Sequence, residues 1–371
     1  MTVKRVGRGF PIDIALLLTT GIVAIVGVVM VYTATRGVLI LQGISPHYFL
    51  DRQAVFVLLG LVAMVVVAVI DYRHLEAFGM LIYALSILSL IAVFVVGKHA
   101  LGSQRWFSIG ALQLQPSEFG VLALILAIAT YCSRRSDGLA WRDVVRLLIM
   151  AAIPIVLVML QPDLGTAIIM IVVLFVMLAA AGLPARILLL LCIAGVLVVI
   201  IALAGGVLHH YQITRLTSFL HQGSGNSQTS LYNLDQAKNA IGSGGFWGKG
   251  IGKGALTNLG YVPEQQTDFI FTAVGEQLGF VGSTALLALL GLISWRLLRT
   301  ASLARDSFGR LLCMGIFAFV TFSVFQNAGM TMGIMPITGI PLPFVSYGGT
   351  AVMCFFIAVG LSLSVYSRRA R

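Results

Sequence analysis

Ten apolar segments, most of them long enough to cross a lipid bilayer, dominate this sequence of 371 residues. They lie at residues 12–33, 53–70, 78–96, 117–132, 147–160, 164–183, 187–208, 269–295, 311–330 and 348–366. A spanning helix needs about 20 apolar residues, and within lipid only helices and closed barrels satisfy their own backbone hydrogen bonds. The sequence therefore predicts an all-α integral membrane protein with about ten transmembrane helices.

The composition excludes a soluble globular protein. Hydrophobic residues make up 59% of the chain and charged residues only 10%, with a mean hydropathy of +1.00. So few polar side chains cannot cover the surface of a globule in water. Because no polar stretch is large enough for a separate soluble domain, residues 1–371 are predicted to form a single polytopic membrane domain.

The distribution of basic residues predicts the orientation of the chain. An even number of spans places both termini on one side, and sixteen of the 24 Lys and Arg residues fall on that side. Short loops rich in Lys and Arg face the cytoplasm. Both termini are therefore predicted to be cytoplasmic, in a multi-pass protein of the cytoplasmic membrane.

Eight cations remain on the outer side, against this rule. They are Arg36, Arg52, Lys98, Arg105, Arg215, Lys238, Lys249 and Lys253. Long loops cross the membrane largely regardless of their charge, so these residues could simply keep the outer loops soluble. They could equally attract an anionic ligand such as a pyrophosphate to the outer surface, and their charge alone does not decide between the two.

One outer connection, residues 209–267, is much longer than the others and lies between the seventh and eighth helices. Loops of this length within compact domains are commonly functional or disordered. Mixed apolar and polar patterns at residues 211–220 and 231–241 predict two short interfacial helices inside it. The loop is therefore predicted to be a partly helical extracytoplasmic segment.

Four carboxylates converge on the outer surface in this topology. Glu118, Asp163 and Asp268 each open a predicted helix, and Glu276 lies eight residues beyond Asp268, roughly 12 Å deeper at the helical rise. Helix-opening acids can be N-caps, an interpretation that suits Asp163 after Pro162. Glu276 is too deep to be a cap, so it should face the protein interior or a water-filled cavity.

A glycine-rich stretch, residues 242–254, contains Lys249 and Lys253. It does not have the spacing of a Walker A phosphate loop. A backbone rich in glycine can still approach a ligand closely, with two lysines to balance anionic charge. The alternative is a flexible turn with solvated lysines.

Two further outer segments supply candidate site residues. Arg105 could bind phosphate through its guanidinium or could form an ion pair with Glu118, and both interpretations stay open. Residues 333–349 contain three prolines, and irregular backbone at membrane depth must be buried in protein or line a cavity. Ser346 in that segment and Glu264, shortly before Asp268, are further candidates for substrate binding.

These segments together resemble the SEDS family of shape, elongation, division and sporulation proteins, which are bacterial cell-wall polymerases. The resemblance is carried by residues 102–106, 115–118, 161–166, 241–250, 263–276 and 339–349. Residues 160–165 and 329–339 are more similar to the rod-shape (RodA) members than to the division (FtsW) members. Members commonly carry His two residues before their essential Asp, whereas this chain has Gln266 there.

The resemblance implies a glycosyltransferase that joins lipid II units into glycan strands on the outer membrane face, for cell elongation and shape. It assigns the essential Asp to Asp268, as the base that accepts a proton from the attacking 4-hydroxyl. It also implies a divalent cation, Mg or Mn, a class B penicillin-binding protein as transpeptidase partner, and neither a nucleotide cofactor nor a nucleic-acid partner. The positive charge for the leaving pyrophosphate could come from Arg105, Lys249, Lys253 or the cation.

Three other functions fit the same sequence: a flippase for lipid II, a scaffold for other wall enzymes, and a polymerase of division or sporulation. A transport cavity would suit the buried Glu276 and the proline-rich segment. The four converging carboxylates and the eight extra cations lie on the outer half, however, which favours chemistry at that face. The scaffold differs in that it would leave Asp268 dispensable.

Overall fold

The computed structural model of the protein describes residues 12–100, 103–109, 112–135, 138–204 and 229–369, and most of them are helical. The helices are α1 (Ile14–Leu41), α2 (Tyr48–Val69), α3 (Tyr72–Val96), α4 (Pro116–Ser133), α5 (Trp141–Leu160), α6 (Leu164–Ala180), α7 (Ala185–Ala204), α8 (Thr229–Gly244), α9 (Ala255–Asn258), α10 (Ile270–Leu303), α11 (Ser307–Thr331) and α12 (Gly349–Ser367).

The predicted membrane helices are confirmed. Within the described residues, eight helices are long and apolar enough to cross a membrane, and α6 and α7 provide two shorter apolar segments. Each of the ten predicted segments coincides with one of them. Helix α5 begins at Trp141, six residues before the predicted start, because its first turns contain Arg142, Asp143 and Arg146 and so do not read as apolar.

The long outer connection is helical where the structure describes it. The segment predicted as helical at residues 231–241 lies inside α8, and the short helix α9 follows it. The other predicted interfacial helix, residues 211–220, lies outside the described residues. Helix α8 packs against α10 and α9 against α1, so this part of the loop is folded onto the bundle.

A small antiparallel sheet, which the sequence did not predict, follows α3. Its strands are β1 (Lys98–Ala100), β2 (Ser103–Ile109) and β3 (Leu112–Leu114), in the order β1-β2-β3. Two of the three strands have only three residues each, too few to show an alternation of polar and apolar residues, so the sequence indicates an outer loop here. The sheet holds Arg105 and Trp106 over the outer end of the bundle.

Helix α4 lies at the centre of the bundle. Almost every residue from Pro116 to Thr130 is buried, and α3, α6, α11 and α12 all pack around it. Gly79 of α3 allows a close approach, because a Cβ there would overlap the Thr130 hydroxyl. The N-terminal end of α4, with Glu118, is therefore surrounded by protein at the outer end.

Helix α10 contains a kink at Gly279, whose φ is +67°. The glycine-rich segment lies against this kink and bonds to its freed backbone groups: Phe280 N donates to Gly245 O at 2.9 Å, and Gly250 N donates to Gln277 O at 2.9 Å. A side chain at Gly279 would overlap Gly248 N. The close approach that the glycines permit is therefore made to α10.

Candidate active site

A cavity of about 690 Å³ opens at the outer end of the bundle. Its walls come from the N-terminal ends of α2, α4, α6 and α12, from β2 and β3, from residues 264–268 before α10, and from residues 338–348 between α11 and α12. The charged residues that line it are Arg52, Arg105, Glu118, Asp163, Glu264 and Asp268. Four of the predicted site residues, Arg105, Glu118, Glu264 and Asp268, are therefore brought together here.

Asp268 lies two residues before α10, half-buried in the cavity wall. Its backbone N–H donates to Glu264 O at 3.2 Å, and its carbonyl accepts a hydrogen bond from Asn327 Nδ2 at 2.8 Å. The same amide nitrogen donates to Ile340 O at 2.8 Å. Asn327, fully buried in α11, thus ties the Asp268 backbone to the proline-rich segment and fixes its position.

The turn before Asp268 is held on both sides. Glu264 has a φ of +49°, in the left-handed region. Its carbonyl accepts hydrogen bonds from the backbone N–H groups of residues 267–269. Buried Gln265 donates to the hydroxyls of Thr257 at 3.1 Å and Thr272 at 2.9 Å. Gln266, at the position where family members commonly carry His, accepts a hydrogen bond from Tyr347 N through its carbonyl. The backbone that carries Asp268 is therefore rigidly placed by neighbours distant in sequence.

Asp163 acts as the N-cap of α6, which agrees with the capping interpretation. Its carboxylate accepts hydrogen bonds from Thr166 N at 3.2 Å and from the Thr166 hydroxyl at 2.9 Å. It also accepts from Gln115 Nε2 at 2.9 Å and from the Ser117 hydroxyl at 3.1 Å. This acid is satisfied by protein donors and links the N-terminal ends of α4 and α6.

Arg105 does not pair with Glu118 in the described structure. Its Nε donates to Gln161 O at 2.7 Å, and Nη2 donates to Pro162 O. These contacts use only part of the five-donor guanidinium fork, and Arg105 lines the cavity. Glu118, only 8% exposed, lines the same cavity, so both residues face the space that a ligand would occupy.

Arg52 is a cavity residue that the sequence did not single out beyond its outer location. Its guanidinium carbon lies 4.1 Å from the centre of the Tyr48 ring, and Tyr347 lines the same cavity. Burial raises the pKa of the Tyr347 hydroxyl, so this tyrosine is neutral at physiological pH. A cation that violates the topology rule beside an aromatic residue at a helix start was the signal that could have identified Arg52.

The remaining predicted site residues lie outside the cavity lining. Lys249 Nζ lies 3.3 Å from Glu276 Oε1, so the deep acid forms an ion pair with a lysine of the outer loop. Lys253 is exposed on the glycine-rich segment. Buried Ser346 accepts a hydrogen bond from Leu342 N at 2.8 Å, which stabilises the proline-rich turn. The roles of these four residues in substrate binding stay predictions.

The cavity combines carboxylates with two guanidinium groups at the membrane surface. A half-buried carboxylate such as Asp268 can accept a proton, and arginines can hold a phosphate oxygen through bidentate hydrogen bonds. This arrangement suits group transfer from a donor with an anionic leaving group.

Comparison with known proteins agrees with this geometry. Residues 14–370 match the family model FtsW/RodA/SpoVE, described as Cell cycle protein. Stage V sporulation protein E of Bacillus subtilis is 34% identical over 99% of this chain and all of its own length. Peptidoglycan glycosyltransferase MrdB of Escherichia coli K12 is 36% identical over 86% of each chain.

Solved structures give the same result. A chain in a peptidoglycan synthase complex that coordinates polymerization and crosslinking superposes with a TM-score of 0.82 at 30% identity, covering 98% of this chain and all of that one. The rod shape determining protein RodA of Thermus thermophilus has a TM-score of 0.71 at 28% identity, covering 97% of this chain and 98% of its own. The chain therefore belongs to the SEDS family of FtsW, RodA and SpoVE, in the bacterial cytoplasmic membrane.

Proposed function

We propose that this protein is a peptidoglycan glycosyltransferase that polymerises lipid II into glycan strands at the outer face of the cytoplasmic membrane. Its relatives are named peptidoglycan glycosyltransferases, and they include rod-shape, division and sporulation proteins. The observation that carries the proposal is the cavity at the outer end of the bundle, where Asp268 lies with Arg52 and Arg105. The role in elongation and shape is proposed on the resemblance of residues 160–165 and 329–339 to RodA members.

The reaction needs a base at the acceptor sugar. The 4-hydroxyl of the acceptor attacks the anomeric carbon of the growing strand, a new glycosidic bond forms, and undecaprenyl pyrophosphate leaves. Asp268 accepts the hydroxyl proton as the bond forms. Its backbone is held by Asn327 and by the Glu264 turn, so the carboxylate is positioned before the substrate arrives.

The leaving pyrophosphate needs positive charge. Arg52 and Arg105 line the cavity, whereas Lys249 is engaged with Glu276 behind it. A guanidinium matches phosphate oxygens in a bidentate geometry and stays charged at any physiological pH. We therefore assign the stabilisation of the pyrophosphate to these two arginines.

We extend the proposal to a divalent cation, Mg or Mn, which the same cavity would hold at an open site. Carboxylates of Glu118, Glu264 and Asp268 line it, and oxygen is the ligand type that these ions prefer. Within the described residues, no three His, Cys, Asp or Glu side chains form a closed metal site. Mg²⁺ is commonly bound by one or two carboxylates and the phosphates of its substrate, and when bound it would neutralise charge on the pyrophosphate.

The partner in this proposal is a class B penicillin-binding protein. No Ser-x-x-Lys motif, the signature of a transpeptidase, occurs in these 371 residues. A structurally similar chain belongs to a complex in which polymerization and crosslinking are coordinated. Crosslinking of the strands would thus come from a second membrane protein that binds this one.

The test compares wild-type protein with the Asp268→Asn variant and with Asp51→Asn as the control. Each variant is purified together with the transpeptidase of its own organism and supplied with lipid II and Mg²⁺ or Mn²⁺. Asp268→Asn keeps the size and backbone contacts but removes the base, so strand synthesis should fall about 10²–10⁴-fold. Asp51→Asn removes an exposed carboxylate in the first turn of α2 that does not line the cavity, and it should retain the wild-type activity.

Thermal unfolding of each variant establishes that the fold is intact. Wild-type amounts of glycan from well-folded Asp268→Asn protein would contradict the assignment of the base, and a lack of glycan from wild-type protein would leave a scaffold or flippase role. Chelation with EDTA followed by addition of Mg²⁺ or Mn²⁺ tests the cation separately, and synthesis unaffected by the chelator would remove it from the proposal.

A further inference from the structure

A second cavity, of about 490 Å³, lies between the C-terminal end of α10, the N-terminal end of α11 and the end of α6. It is far from Asp268, which precedes the opposite end of α10. The part of α10 after the Gly279 kink, residues 280–303, has 24 residues, about 36 Å at the helical rise, whereas the hydrocarbon core is about 30 Å thick. Its last turns therefore extend beyond the hydrocarbon on the side predicted to be cytoplasmic.

The side chains that line this cavity are ordered by depth in the membrane. On α10, Trp295 lies one turn deeper than Arg299, whose guanidinium carbon is 5.6 Å from the centre of the indole ring. Helix α11 runs the other way, and Met314 lies one turn deeper than Arg310. Both helices thus present an apolar residue toward the membrane centre and an arginine toward the cytoplasm. Trp residues are enriched at the interface between the hydrocarbon core and water, so Trp295 marks that depth.

The two arginines carry charge that their described neighbours do not balance. Arg296, on the same turn of α10, is paired with Asp13 at 2.6 Å, and Asp306 pairs with Arg73 at 3.7 Å. Neither Arg299 nor Arg310 takes part in an ion pair among the described residues, and both are exposed. Two unbalanced guanidinium groups at one cavity favour an anion between them.

We infer that this cavity binds an anionic phospholipid of the cytoplasmic leaflet. Its phosphate lies between Arg299 and Arg310, and its acyl chain follows the apolar side chains of Leu298 and Met314 into the membrane. Basic cavities between helices on the cytoplasmic side suit such headgroups. A free phosphate would use the arginines but not the apolar wall below them.

The experiment measures lipid binding to the purified full chain by native mass spectrometry in detergent. The probes are phosphatidylglycerol, phosphatidylcholine and inorganic phosphate. Wild-type protein is compared with the Arg299→Gln/Arg310→Gln double variant, with the charge-conserving Arg299→Lys/Arg310→Lys variant, and with Arg305→Gln. Arg305 is an exposed arginine in the α10–α11 connection that does not line the cavity, so it is the matched control for surface charge.

The double Gln variant should bind phosphatidylglycerol about 30-fold more weakly than wild type, because each arginine contributes about 1 kcal/mol, a roughly fivefold change in affinity. The Lys variant should lose only part of the affinity, and Arg305→Gln should bind like wild type. Phosphatidylcholine and inorganic phosphate should bind wild-type protein much more weakly than phosphatidylglycerol.

Four results would overturn the inference: unchanged phosphatidylglycerol binding in the double Gln variant, an equal loss in Arg305→Gln, equally tight binding of phosphatidylcholine, or preferential binding of inorganic phosphate. The last would indicate a simple anion site. Equal unfolding temperatures for all variants establish that a loss of lipid reflects the site and not the fold, and the Lys variant provides the comparison if the Gln variant is unstable.

Discussion

Glu276 is a buried carboxylate near the candidate active site, and its replacement by Gln tests whether it is ionised and paired. Its side chain is fully buried, 0% exposed. Oε1 accepts from Leu256 N at 3.0 Å and lies 3.3 Å from Lys249 Nζ. Oε2 accepts from Thr257 N at 2.9 Å and from its hydroxyl at 2.7 Å. All four partners act as donors, which requires the ionised carboxylate.

The structure sets the size of the effect. In Glu276→Gln one oxygen becomes an amide NH₂ group, which faces donors and leaves them without an acceptor. An unsatisfied buried polar group costs about 1–3 kcal/mol, and breaking a buried ion pair about 3–5 kcal/mol. Because the Lys249 side chain is 35% exposed, the pair is partly screened by solvent, and we expect a loss of about 2–4 kcal/mol. Glu276→Leu removes all four contacts and should cost more.

The measurement is the thermal unfolding midpoint of the purified protein together with its polymerase activity. At roughly 2 °C per kcal/mol, Glu276→Gln should lower the midpoint by about 4–8 °C. Activity should also fall, because Thr257 holds Gln265 and thereby the turn before Asp268. Asp51→Asn, which removes an exposed carboxylate in the first turn of α2, is the control and should leave both quantities unchanged.

A double variant isolates the ion pair. Adding Lys249→Met to Glu276→Gln should cost less than the sum of the two single changes, because the lysine has already lost its partner. If Glu276→Gln has the midpoint and activity of wild type, the residue is a neutral carboxyl and the reasoning is wrong. A Glu276→Leu variant with the unfolding midpoint and activity of wild type would also show that this residue has no role behind the cavity.

Two further predictions concern helix packing and use the same unfolding measurement. Gly37→Ala should lower the free energy of unfolding by about 1–3 kcal/mol, because a Cβ would overlap the Asn258 backbone. The control is Gly21→Ala on the same helix, which has open space and should be neutral. Equal unfolding midpoints for the two variants would contradict the close packing at Gly37. Asp13→Asn should lower the free energy of unfolding by about 3–5 kcal/mol, because it breaks a buried ion pair with Arg296 at 2.6 Å. An unfolding midpoint equal to that of wild type would show that the pair does not contribute to stability.

The sequence by itself determined the membrane class, the ten apolar helices and the outer placement of Asp268. These follow from local physics. Lipid forces each apolar run to satisfy its own backbone hydrogen bonds as a helix, and the distribution of Lys and Arg orients the ends. A carboxylate next to a long apolar run must then lie near the membrane surface, whichever helices surround it. The resemblance of the flanking motifs added the chemistry, and the comparisons confirmed the family.

The tertiary structure alone decided which of the outer polar residues share the cavity. The sequence placed Lys249, Lys253, Arg105 and Glu276 on one surface, but the fold turns Arg105 toward the cavity and engages Lys249 with Glu276 behind it. Arg52 joins the site only because α2 begins beside the segment before α12. These contacts connect residues far apart in the chain, and they depend on how the helices pack, on the kink at Gly279 and on the short sheet after α3. Local pattern carries no information about such long-range pairings, so charge and spacing could indicate the face of the site but not its members.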